Sequence, residues 1–324
     1  MAARERTALK MNSILRLMPY ALALLLALIG VLAARNYRSD IPLEKLKAKY
    51  ATPPSRFVRL APLDVHYRDE GPRTDSVPLV LLHGTGASLL TWNGWVREMK
   101  FQRRLIRMDL PGYGLTGATE TETLSMASYV AFLQHFLDKM GVSRVDLAGN
   151  SLGGGIAWQY ALAHPEQVRR LILIDAGGYP TQSESVPIAF RLARVPLLKN
   201  ILVKITPRSL AERSLKNVYA DDSKVTDPLI DQYYELALRP GNREAFIRRL
   251  GNPSPADWPK IAHIRAPTLI LWGQQDGLIP VANAYRFHRD LPNDTLVILP
   301  NAGHVPMEEL PDETAEIVLD FLSK

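Results

Sequence analysis

The sequence predicts an α/β architecture, with a mostly parallel central sheet, flanking helices and a helical segment inserted late in the chain. Three observations carry this. Short apolar runs at 79–82, 104–109, 145–148, 171–176, 268–272 and 295–299 alternate with helix-like stretches, the pattern of strands buried on both faces of a parallel sheet. Gly149-Asn150-Ser151-Leu152-Gly153 stands between one such run and a helix-like run reaching residue 163, so a serine is displayed on a sharp strand-to-helix turn. The alternation then stops after Tyr179 and resumes at Ile264, with Pro187, Pro196, Pro207, Pro228 and Pro240 breaking the helical composition between them.

Each element follows in order. Residues 40–54 are polar and end in Pro53-Pro54, which reads as a linker. Residues 56–60 and 65–69 look like a first hairpin. An amphipathic helix covers 124–140 and is ended by Gly141. The long strandless excursion reads as a helical cap over a site rather than a loop. The expected division is 1–40 as a membrane anchor or signal peptide, 41–56 as linker, 57–180 with 263–324 as the core, and 181–262 as the cap.

Composition narrows the class. A chain of 324 residues with 47% hydrophobic content can bury a core. With no cysteine, disulfides, thiolate metal sites and a cysteine nucleophile are excluded. The net charge of +6 arises in residues 1–50, which hold nine Lys or Arg against three acids; the remaining 274 hold thirty of each. Nothing in the catalytic part therefore asks for nucleic acid. The basic N-terminal segment contains an apolar run over 17–34, flanked by Arg16 and Arg35 and just long enough to span a bilayer, which needs ~17 residues or more. It predicts a single-pass N-terminal membrane anchor, in a bacterial inner membrane with the catalytic part on the periplasmic side. The alternative is a cleaved signal peptide ending near Val31-Leu32-Ala33. The basic amphipathic stretch 186–205 is expected either to line the cap's inner face or to rest on that membrane.

Beyond Ser151, Asp276 follows the run 268–272 and His304 follows 295–299. Serine, acid, histidine, each beyond a strand, is the chain order of an α/β-hydrolase. The chain resembles that family from about residue 57 to the end. The likeness rests on His83-Gly84-Thr85-Gly86, Asp109-Leu110-Pro111-Gly112-Tyr113-Gly114, Gly149 to Gly154, Pro267 to Asp276 and Asn301-Ala302-Gly303-His304. Bacterial membrane-associated esterases and lipases resemble it most. Epoxide hydrolases and haloalkane dehalogenases carry an aspartate where this chain has Ser151.

The resemblance implies a catalytic triad. Ser151 would be the nucleophile, His304 the general base and Asp276 the group that orients it. It also implies an oxyanion hole from the N–H groups of Leu152 and Thr85, with Gly84 and Gly86 letting their loop approach the substrate closely. Asp175 at the end of a strand is the alternative acid. His83 is expected to brace the backbone, and Asp109 to cap a turn. Gly112-Tyr113-Gly114-Leu115-Thr116-Gly117 spells a dinucleotide fingerprint, but the next helix begins too late to hold a pyrophosphate. No cofactor and no metal is expected.

The leading expectation is a serine hydrolase cleaving carboxylic esters with apolar acyl chains through an acyl-enzyme, with a small-molecule acyl ester as substrate and the membrane as partner through the N-terminal helix. No obligate protein partner is evident. One rival is a C–C bond hydrolase of the meta-cleavage-product type, whose members usually carry Pro-Gly where this chain has Ala87-Ser88. A non-catalytic binding protein on the same fold is the other, and acyl transfer or perhydrolysis also remains open.

Overall fold

The computed structural model describes residues 18–20, 22–24, 27–28, 30–31, 34–119, 121, 123–195, 201, 203–252 and 257–324. Helix α1 (Leu43–Tyr50) leads into β1 (Arg56–Leu60) and β2 (Leu63–Glu70), then β3 (Leu79–Leu82), α2 (Asn93–Met99), β4 (Leu105–Met108) and α3 (Met126–Met140). Next come β5 (Val145–Asn150), α4 (Leu152–Ala163) and β6 (Val168–Ile174). Four helices follow with no described strand: α5 (Ile188–Ala193), α6 (Arg208–Val218), α7 (Asp227–Ala237) and α8 (Asn242–Gly251). The chain closes with β7 (Thr268–Gly273), α9 (Ala282–Asp290), β8 (Asp294–Leu299), α10 (Pro306–Glu309) and α11 (Pro311–Ser323).

The eight strands form one sheet in the order β1-β2-β4-β3-β5-β6-β7-β8. β1 and β2 pair antiparallel, as does β2 with β4, and every pair from β4 onward is parallel. β3, β5 and β7 are buried along their whole length, as their continuous apolar composition requires when helices cover both faces. One apolar cluster joins β5 and β6 to α3, α4 and α9, and another packs Trp92, Trp95 and α11 against the opposite face. Inside this sheet Asp146 of β5 is fully buried, matched by the guanidinium of Arg103 at 2.8 Å and by that of Arg169. A buried charge is tolerated only when so paired.

Residues 43–50, read from sequence as part of a linker, form α1 and bury Leu46. This helix and the segment before it are fastened to the helices between β6 and β7. Ile41 N–H donates to Leu238 O at 2.9 Å, Arg243 pairs with Asp40 at 2.5 Å, and Lys49 pairs with Glu235 at 2.8 Å.

The single-pass membrane localisation expected from residues 17–34 is corrected here. Among the described residues no helix is long and apolar enough to cross a membrane, and part of the run lies outside them. The run was at the lower limit of a span. Apolar composition alone was a weak indicator.

Candidate active site

Parallel strands that are neighbours in the sheet bring their carboxyl ends together. Thr85 follows β3, Ser151 follows β5, Asp175 follows β6, Asp276 follows β7 and His304 follows β8. Those five strands are consecutive in the sheet. Residues more than 200 positions apart in sequence thereby meet at one end of the molecule.

The turn carrying Ser151 is strained, with φ 54° and ψ −113°, an unfavourable positive-φ conformation for a residue with a Cβ. The neighbouring glycines make room for it. A Cβ on Gly149 would lie 2.2 Å from Gly153 O, and one on Gly153 would lie 2.1 Å from Leu82 O. Leu152 opens α4, so its N–H has no carbonyl within the helix to receive it. Gly84 passes so close to Ser151 that an added Cβ would meet Ser151 Cβ at 3.2 Å and Asn150 Oδ1 at 2.9 Å.

Asp276 and His304 are both buried and joined by a hydrogen bond of 2.7 Å from His304 Nδ1 to Asp276 Oδ2. The other oxygen, Oδ1, accepts from Leu278 N–H at 2.8 Å and Ile279 N–H at 3.0 Å. Three donors on one carboxyl hold it in place. With Nδ1 spent on Asp276, Nε2 is the ring nitrogen left for proton transfer. Ser151, Thr85, Gly84, Gly86 and His304 all line one cavity of about 200 Å³, well beyond the ~10–15 Å³ that a single water needs. Its remaining wall comes mainly from α6, α7 and α8, including Leu210, Tyr233 and Phe246.

Asp175 is fully buried with φ 44°. Its Oδ1 accepts from Gly273 N–H at 3.0 Å. The polar atoms of Asp175, Asp276 and His304 lie within 4.8 Å of one another. This is a metal-like set by composition, but His304 Nδ1 and both Asp276 oxygens are already committed to hydrogen bonds. Burial and the charge of Asp276 raise the Asp175 carboxyl well above the usual carboxylate range, against the lowering effect of Gly273 N–H.

His83 is fully buried. Leu110 N–H donates to its Nε2 at 2.9 Å, which leaves Nδ1 to donate to Gly84 O at 2.8 Å. Burial pushes its protonation below the ordinary histidine range. It is a neutral brace holding the Gly84 loop. Asp109 collects Leu89 N–H and Leu115 N–H, each at 2.7 Å, and His66 Nδ1 at 2.7 Å, so it organises its turn.

Two residues escaped sequence reasoning. Asn150 donates through Nδ2 to His304 O at 2.9 Å and to Ile174 O at 3.2 Å, tying the neighbour of Ser151 to the backbone of His304. Glu309 accepts from Gly303 N–H and Ala220 N–H, both at 2.7 Å, and His304 N–H donates to Val218 O at 2.7 Å. The helical segment thus grips the loop that carries His304. Asn150 stands inside the elbow motif and carried that signal, whereas nothing in sequence marks Glu309.

A family model described as the alpha/beta hydrolase fold matches residues 77–311. The chain belongs to that family and is a hydrolase. It is 31% identical over 278 residues to a 2-hydroxy-6-oxononadienedioate/2-hydroxy-6-oxononatrienedioate hydrolase of Burkholderia vietnamiensis, covering 81% of this chain and 92% of that protein. It is also 31% identical over 259 residues to a 2-hydroxy-6-oxo-2,4-heptadienoate hydrolase of Pseudomonas putida, covering 76% and 89%. Among solved structures, a bacterial membrane phospholipase A superposes with a TM-score of 0.71 at 27% identity over 97% of each chain.

The two curated relatives overturn the expectation of an ester hydrolase for apolar acyl chains. They are named as hydrolases of 2-hydroxy-6-oxo dienoates. The elbow, the acid and the histidine serve both reactions, so the motifs could not choose between them. Ala87-Ser88, weighed against the C–C reading, has a local role: Ser88 is buried and accepts from Leu90 N–H at 3.3 Å to cap the short helix Leu89–Trp92.

Proposed function

We propose that this chain is a serine hydrolase that breaks a C–C bond in 2-hydroxy-6-oxo-2,4-dienoate compounds, the products of aromatic ring fission. The single observation that supports it most is the likeness, near 30% identity over about four-fifths of the chain, to hydrolases so named.

Carbon leaves a carbonyl only if its electron pair is stabilised. The 2-hydroxy group supplies that sink: after its enol shifts to the 2-oxo tautomer, with a proton delivered to C5, an electron pair released at C5 is conjugated to the C2 carbonyl. Ser151 Oγ attacks the C6 carbonyl while His304 Nε2 takes its proton, and Asp276 holds the imidazolium. The oxyanion is received by the N–H groups of Leu152 and Thr85, each worth ~10²- to 10³-fold in rate. Collapse breaks C5–C6, and the departing dienolate takes up a proton. The acyl group stays on Ser151 until a water activated by His304 releases it as an acid, so one water is consumed per turnover.

The substrate is an anion, and the cavity offers it a cation. Arg243 lines the cavity at 6% exposure; its Nη groups are held by Asp40 and Arg38 O, and its Nε has no partner among the described residues. Arg243 would receive the carboxylate, with Phe246 and Leu210 against the apolar carbons. The helices between β6 and β7, read as a cap over residues 181–262, would close over the substrate.

The test is spectroscopic. Wild-type protein is expected to bleach the visible band of a 2-hydroxy-6-oxo-2,4-dienoate and to be labelled at Ser151 by a fluorophosphonate. Ser151→Ala should lose both, with a fall in kcat of at least ~10³-fold. Turnover of p-nitrophenyl esters without any of the dienoate would reject the proposal.

A further inference from the structure

We infer that Asp175 is a neutral carboxylic acid that donates its proton in a hydrogen bond to Asp276, making it a positioning residue for the triad and a reserve acid behind it. This rests on the reading of Asp276 and His304 as triad members.

The hydrogen bonds around the two carboxyls decide which one keeps the proton. Asp276 takes three donors, Leu278 N–H, Ile279 N–H and His304 Nδ1–H. Asp175 takes one, Gly273 N–H on Oδ1, and its Oδ2 is buried without a partner. As a carboxylate beside an ionised Asp276, Asp175 would leave an anionic oxygen desolvated and unpaired among the described residues, which is costly. As an acid, it gains a donor for that oxygen, and Asp276 is the acceptor beside it, with one carboxylate oxygen of each residue within 4.8 Å of the other. Two carboxylates this close cannot both ionise. The other titratable groups facing Asp175 are His304 and Glu309. Glu309 adds negative charge, and His304 is held by Asp276, so neither supplies a counter-ion. The backbone at Asp175 sits in the left-handed region, φ 44°, where a residue other than glycine persists only when its surroundings demand it.

A hydrogen bond from a neutral acid fixes Asp276 without adding charge, so the imidazolium that forms on His304 meets one negative charge rather than two. When Asp276 is neutralised, the repulsion that keeps Asp175 protonated disappears. Asp175 then ionises and takes over as partner of His304.

Four variants of the full chain test this, with a fluorophosphonate label on wild type as the control for the triad. Asp175→Asn keeps an acceptor for Gly273 N–H and a donor for Asp276. It is expected to restore kcat to within about threefold of wild type where Asp175→Ala loses ~10-fold or more at unchanged KM. The pH of half-maximal kcat/KM in Asp175→Asn should match wild type. Asp276→Asn should keep a residual rate that Asp175→Asn/Asp276→Asn loses by a further ~10-fold or more. Infrared spectra at pH 7 should show the C=O stretch of a neutral carboxylic acid in wild type and its loss in Asp175→Asn, a readout independent of turnover. A folded Asp175→Asn enzyme without activity, an acid limb displaced by about one pH unit or more, a double variant equal to Asp276→Asn, or an absent acid band would each overturn the inference. If wild type resists the fluorophosphonate label, the triad fails instead, and the infrared band still reports whether Asp175 holds a proton.

Discussion

At the residue scale, small sets of donors fix the charge state of buried acids. Burial alone would raise Asp109, yet the adjacent His66 and the N–H of Leu89 outweigh it and hold the carboxyl below the usual range. A carboxyl with a depressed folded value contributes stability that is present above its unfolded value, ~3.9, and is lost as pH falls through the folded one. Asp109→Asn is therefore predicted to cost ~2–4 kcal/mol at pH 7 and to lose less on acidification than wild type does. Urea midpoints at pH 7 and pH 3 measure both effects; equal midpoints for the two proteins at pH 7 would show that Asp109 organises nothing. Legibility at this scale was uneven. Ser151, Asp276 and His304 could be singled out because each follows a strand, and a strand has a sequence period. Glu309 could not, because its importance lies in Ala220 and Gly303, and nothing in its own neighbourhood refers to residues 80 positions away.

At the element scale, the elbow between β5 and α4 depends on close backbone approach. Gly153→Ala would push a methyl group onto Leu82 O, a backbone atom that cannot rotate aside. It is predicted to destabilise by ~3 kcal/mol or more, at the upper end of overpacking. Gly251 at the end of α8 has nothing among the described residues within 4 Å of an added Cβ, so Gly251→Ala should be neutral or stabilise by up to ~1 kcal/mol. Thermal melts of the pair separate crowding from glycine's conformational freedom; similar Tm values would contradict the steric account. The strands and their flanking helices were readable because continuous apolar runs and glycine stops are local signals, and Gly141 ends α3 in the left-handed conformation as its position suggested. The order of strands in the sheet, which gathers the site, is a long-range property that no local pattern states.

At the scale of the whole molecule, the segment before β1 is joined to the helices that wall the cavity. Asp40 neutralises Arg243, which is also held by Arg38 O at 3.0 Å. Asp40→Ala would take the anionic partner from a guanidinium at 6% exposure; because Asp40 is 33% exposed, the cost falls below the ~3–5 kcal/mol of a fully buried pair. Because Arg243 lines the cavity, the same change should alter KM for an anionic substrate more than kcat. Steady-state kinetics decide it, and an unchanged KM would detach Arg243 from binding. Reaction type was the least legible property of the sequence, since ester and C–C hydrolysis ask for the same nucleophile, base and oxyanion donors and differ in the leaving atom, which belongs to the substrate.

The most direct measurement is the ratio of kcat/KM for a 2-hydroxy-6-oxo-2,4-dienoate to that for a p-nitrophenyl ester of matched size, taken on one preparation with Ser151→Ala as the blank. The account predicts a ratio well above one, with both activities lost in the variant. A ratio far below one, or dienoate turnover that survives Ser151→Ala, would contradict it.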